Sequence, residues 1–132
     1  MFGIRGINMT FLIMEKITSQ EMANYVGRHI RKLSPQLKGL QYQGNVAAVM
    51  QIIVSYMREL CQKKKFSYLQ RILSCVGVLY QRGDQVIKQN VEYLFMHCLT
   101  RMDHLCNAKQ WGRIIAQLPK DLKEVYIIQH IK

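Results

Sequence analysis

The sequence predicts an all-α fold of about six antiparallel helices, arranged as a bundle or as a short helical-repeat-like stack. Three observations lead there. Only two prolines occur in 132 residues, Pro35 and Pro119, and periodic apolar pattern fills the chain between them. Apolar residues recur at alternating spacings of four and three, the mark of helix faces packed against other helices. Residues that start and stop helices punctuate that pattern. At 49% hydrophobic and 20% charged, the composition is that of a folded protein. The length suits one domain, 1–132, with a real core.

Thr18-Ser19-Gln20-Glu21 reads as a capping box, in which Thr18 accepts from the Glu21 N–H and the Glu21 carboxylate reaches back. The helix it opens carries Met22, Val26, Ile30 and Leu33 on one face and stops before Pro35. A loop follows, with Gly39 and Gly44 flanking Leu40 to Gln43. Asn45 is the expected N-cap of the clearest helix, whose face is Val46, Met50, Ile53, Met57 and Leu60.

Ser67 with Gln70 reads as a second capping box, opening a helix that buries Leu69, Ile72, Leu73, Val76 and Leu79. That helix closes at Arg82-Gly83. Glycine suits a left-handed position past a helix end, and Asp84 suits the N-cap of the next helix. A link this short folds the two into an antiparallel hairpin. Ile87, Val91, Leu94, Cys98, Met102 and Leu105 form the next expected face. Asn107 caps a short helix with Trp111, Ile114, Ile115 and Leu118, and Pro119 suits the first turn of a last helix with Leu122, Val125 and Tyr126 inward. Successive hairpins of similar length are reminiscent of α-solenoids.

Residues 1–17 read as a disordered or mis-annotated extension, with Met9 or Met14 as candidate true starts. The apolar run Phe11 to Met14 is too short to span a bilayer and leads to no small-residue cleavage site. The expected location is cytoplasmic, and Cys61, Cys75, Cys98 and Cys106 are expected as reduced thiols.

No pattern in the chain points to catalysis. His97, Cys98, His104 and Cys106 are the one cluster with metal-ligand chemistry. On a helix rising ~1.5 Å per residue, however, the two histidines lie roughly 10 Å apart, too far to share one zinc. Asp121 and Glu124 stand beside Lys120 and Lys123 and read as a solvated helical pair. Nucleophile elbow, phosphate loop and CxxC are all missing. The expectation is a protein that is not an enzyme and takes no cofactor or metal.

Charge is the feature that points outward. The chain carries a net +11, and between Met22 and Gly83 ten bases face one acid, Glu59. The flanking segments are nearly balanced. Arg28, Arg31, Lys32, Arg58, Lys63, Lys64, Lys65 and Arg71 are therefore the candidate anion- or partner-binding residues. Two clusters sit at expected helix C-termini, where cations are stabilising anyway. The near-absence of acids has no such explanation. Tyr25, Tyr42, Tyr56 and Tyr68 lie in the same block and could stack on bases or pack against the core. The Gly83 joint is too short for a helix-turn-helix.

Leu79-Tyr80-Gln81-Arg82-Gly83-Asp84, the Asn90-Val91-Glu92-Tyr93 helix after it, and Leu118-Pro119-Lys120-Asp121-Leu122 form a familiar cadence. Over about residues 67–126 the chain resembles a family of small all-helical bacterial domains of unknown function. The resemblance implies a non-catalytic binding domain, since some such members are proposed immunity proteins. It names no functional residues, and its strong positive charge sets this chain apart. The expected function is a helical module acting through a protein partner with an acidic surface. The alternative is non-specific nucleic-acid binding through the block 22–83. No membrane role is expected.

Overall fold

The structure, a computed structural model, describes residues 16–131. The expected extension therefore lies mostly outside the described residues. Ile17, counted with it, is buried.

Among the described residues seven helices follow in order. They are α1 (Met22–His29), α2 (Ser34–Leu37), α3 (Val46–Gln62), α4 (Leu69–Arg82), α5 (Gln85–Asn90, through a π turn at Val91–Phe95, to Met96–Thr100), α6 (Ala108–Ala116) and α7 (Lys120–Ile131). The all-α class expected from the sequence is what the chain adopts. The one helix beyond six is α2, because Pro35 opens a helix rather than ending one: proline is tolerated in a first turn. The break falls earlier, at Ile30, whose φ of −125° leaves the helical region.

α3 is the hub. Val46, Val49, Met50, Ile53, Val54, Met57, Leu60 and Cys61 are buried along it, and it packs against α1, α4 and α5. One continuous apolar cluster runs from Ile17 to Leu122, and no polar or charged side chain among the described residues is buried within it. Each apolar side chain taken fully out of water stabilises the fold by about 1.5–3 kcal/mol.

Most expected caps form. Thr18 N–H donates to Glu21 Oε1 at 3.0 Å and Glu21 N–H to Thr18 Oγ1 at 3.3 Å. Asn45 accepts from Ala48 N–H at 3.1 Å, and Asn107 forms a reciprocal box with Gln110. The box expected at Ser67 does not form. Phe66–Tyr68 is a 3-10 turn, so the N-cap moves one residue on to Tyr68 and α4 begins at Leu69 with no side-chain cap.

Gly83 is needed for a different reason than expected. Its φ of −68° and ψ of 156° are extended, not left-handed. A Cβ there would strike the Leu79 carbonyl oxygen and stand 2.5 Å from Ile87 Cγ2. Glycine allows α4 and α5 to meet at close range. Ile17 crosses the joint as an isolated parallel bridge, donating to Arg82 O at 2.6 Å and accepting from Asp84 N–H at 3.0 Å.

The face of α5 differs from expectation beyond Val91. Phe95, Met96 and Leu99 are buried, whereas Leu94, Cys98 and Leu105 are only half-buried. The π turn inserts one residue into the helical count. The apolar seam therefore steps from 94 to 95 and from 98 to 99, and returns to expectation at Met102. Among the described residues no helix is long and apolar enough to cross a membrane.

Candidate anion-docking face

The end of α1 and the turn after it carry Arg28, Arg31 and Lys32 into solvent because Val26, Ile30 and Leu33 point the other way, into the core. Tyr25 is tied down there: its ring stacks on His29 with centroids 4.1 Å apart, and its carbonyl lies 2.9 Å from His29 Nδ1. Burial pushes the Tyr25 phenol above its ordinary value. It is a packing tyrosine.

Three clefts open around this segment. The first, about 320 Å³, is lined by Lys16, Arg28 and Arg82 with Glu21, Tyr25 and Tyr42. The second, about 670 Å³, runs between α1 and α2 and contains Arg28, His29 and Arg31. The third, about 460 Å³, is lined by Arg31, Lys32, Tyr56, Ser67, Tyr68 and Arg71. Arg28 belongs to the first two and Arg31 to the last two. The three clefts therefore form one basic band, with Glu21 as the one acid in their walls.

Lys63 and Lys65 line none of the three clefts, but both act on Glu59, as does Lys32 of the third cleft. Tyr56, Glu59 and Lys63 share one face of α3 at spacings of three and four, and Lys63 Nζ pairs with Glu59 at 3.0 Å. That hydrogen bond and the Lys63 charge, with Lys32 and Lys65 adding theirs, hold the Glu59 carboxyl below the usual range. The single acid of the block is thus surrounded by cations. Arg28, Arg31, Lys32 and Arg71 are all exposed and enter no hydrogen bond or ion pair among the described residues.

Two of the eight candidate residues stand apart. Arg58 is exposed but lines none of the three clefts. Lys64 acts electrostatically on Cys106 instead. Its φ of 57° places it in the left-handed position that ends α3. Lys65 N–H donates to Leu60 O at 2.8 Å and Lys64 N–H to Cys61 O at 3.1 Å, the paired bonds of a Schellman end. Sequence reasoning missed Lys16 and Arg82 as wall residues, because both reach the band only through the bridge at Ile17.

A cleft of opposite charge was also missed. Glu92, Asp121 and Glu124 line a cleft of about 540 Å³ with Tyr80, Tyr93 and Ile128. Glu92 accepts from Tyr80 Oη, and Gln129 Nε2 donates to the Glu92 backbone carbonyl at 2.9 Å. Burial first, then the Glu92 bond and the nearby carboxylates, push the Tyr80 phenol up to about 12. The signal in the sequence was the pair Asp121 and Glu124, but their partner Glu92 is distant in the chain.

His97 and His104 are exposed, while Cys98 and Cys106 are half-buried. Among the described residues no group of His, Cys, Asp or Glu is placed to hold a metal ion. All four cysteines are free thiols, and burial pushes both Cys61 and Cys75 up to about 12.

No curated protein and no solved structure matches the chain. The likeness seen over residues 67–126 extends further than its motifs, because one family model covers nearly the whole of the described chain. That model is the domain of unknown function DUF7674, it matches residues 20–132, and the chain belongs to this family.

Proposed function

We propose that this protein is a non-enzymatic binding module that docks a polyanionic partner along the basic band. One observation carries the proposal: Arg28 and Arg31 join three clefts into a continuous surface on which Arg28, Arg31, Lys32 and Arg71 enter no hydrogen bond or ion pair among the described residues. Fields of one sign focused in clefts attract opposite charge and speed encounter. Arginine and tyrosine, which line this band, are also the residues that most often anchor protein interfaces. The acidic protein surface expected from the sequence is one such polyanion, and a nucleic-acid backbone is the other. An immunity-like pairing, implied by the resemblance, would present a toxin's acidic surface to the band.

The titratable groups support a binding role over catalysis. The buried thiols are held protonated at neutral pH, which removes the nucleophilic thiolate. Asp84 is occupied as a cap.

Retention on an immobilised polyanion such as heparin tests the proposal. The wild type should elute at clearly higher salt than Arg28→Glu/Arg31→Glu, since each lost contact lowers the salt-dependent term. Equal elution of the two proteins would remove the band from the binding surface.

A further inference from the structure

We infer that the band is a track for single-stranded nucleic acid, with Tyr68 and Tyr42 as base-stacking platforms at its two ends. The inference rests on the proposed docking of a polyanion and names its class.

The cations alone would serve any polyanion. The aromatic residues would not. Tyr68 is 58% exposed on the wall of the third cleft, beside Arg31, Arg71 and the Ser67 hydroxyl. Tyr42 is 71% exposed on the wall of the first, beside Arg28 and Arg82. A tyrosine ring left in water next to guanidinium groups has a free π face and a phosphate ligand within reach of the same strand. That pairing of a basic groove with aromatic platforms is how single strands are held without sequence readout. In a duplex the bases are already stacked and paired, so neither ring gains a partner. A peptide carboxylate uses the cations and has no call on the rings.

The backbone at Tyr42 is set by a turn: Gln41 (φ −63°, ψ 134°) and Tyr42 (φ 64°) are its two central residues, and Gln43 N–H donates to Leu40 O at 3.4 Å. The turn leaves the Tyr42 ring exposed on the wall of the basic cleft. The third cleft, at about 460 Å³, also falls in the ~300–1,000 Å³ range of small-ligand sites, enough for one base with its phosphate.

Fluorescence anisotropy with a labelled thymidine oligonucleotide at low salt is the test, with a hairpin duplex and poly-glutamate as the other arms. The single strand should bind more tightly than the duplex. Tyr68→Ala should weaken it about ten-fold, the worth of one stacked base, while Tyr68→Phe keeps it. Arg71→Gln should lower the salt slope by about one. Tyr42→Gly separates function from structure: it should raise the thermal midpoint by relieving the left-handed strain, yet weaken the oligonucleotide. Neither tyrosine variant should change poly-glutamate binding. If the tyrosine variants bind the oligonucleotide like wild type, or the duplex binds as tightly, the track is overturned and anion docking stands. Poly-glutamate binding tighter than the oligonucleotide overturns it in favour of an acidic protein. If none of the three ligands binds at low salt, both readings fall.

Discussion

The basic band and the region around Gly83-Asp84 and the acidic cleft use charge in opposite ways. In the band, Arg28, Arg31, Lys32 and Arg71 line open clefts and hold nothing together. Around the α4–α5 joint, Asp84, Lys88 and Glu92 are all bonded. Asp84 accepts from Ile87 N–H at 3.0 Å and from both Ser19 N–H and Ser19 Oγ at 2.7 Å. Lys88 Nζ donates to the Tyr80 and Gln81 carbonyls at 2.6 and 3.2 Å, satisfying the end of α4, and lies 5.5 Å above the Tyr80 ring. Glu92 is held by Tyr80 and Gln129. The charges that serve the fold at this joint do so through hydrogen bonds. Charges spared from it are gathered on one face, which is what a docking surface requires.

The sharpest way to break this comparison is at the joint. Gly83→Ala should destabilise the protein by about 3 kcal/mol, the upper range for overpacking, because its Cβ meets both a backbone carbonyl and Ile87. Urea unfolding would read it, and a loss below about 1 kcal/mol would mean the helices do not meet as closely as described.

Asp84→Ala comes next. It removes a cap and leaves two Ser19 donors without their acceptor, at a cost of about 2 kcal/mol. Asp84 also sets a pH dependence. Partial burial pushes its carboxyl up, but the bonds from Ile87 and Ser19 outweigh this and leave it below the ordinary value. A depressed folded value contributes stability that is present above the unfolded value near ~3.9 and lost as pH falls through the folded one. Unfolding midpoints of Asp84→Asn followed down through that range should therefore fall less steeply than wild type.

A smaller effect, of opposite sign, is expected at the band's edge. Lys64→Gly should stabilise by about 1 kcal/mol, since glycine takes the left-handed end of α3 without strain. A loss of stability there would assign Lys64 a structural contact that the account denies it.

Much of this division was legible in the sequence, and its limits have physical causes. Asn45, Asp84 and Asn107 were readable as caps because capping depends on residues three apart. The face of α3 was readable because one period runs unbroken over seventeen residues. The face of α5 was not, since a π turn leaves no mark in residue types and shifts everything after it by one. Gly83 was recognised as a stop, but the close approach of Ile87 that makes glycine necessary depends on how the hairpin packs. Ser67 had the right residues for a cap and lost it to the 3-10 turn at Phe66–Tyr68. At the candidate site, the cations and tyrosines were visible as composition. That Arg28 and Arg31 each serve two clefts, while Arg58 serves none of them, depends on which way α1 and α3 turn their faces.

One measurement tests the division of labour most directly: thermal midpoints of wild type and Arg28→Gln/Arg31→Gln/Arg71→Gln at low salt, each with and without excess thymidine oligonucleotide. Without ligand the two should melt together, within the shift expected for about 0.5 kcal/mol at exposed sites. With ligand only the wild type should rise, because a ligand that binds the folded state alone stabilises it by mass action. A variant that melts well below wild type on its own, or that rises with ligand as wild type does, would contradict the claim that the band's cations serve a partner and not the fold.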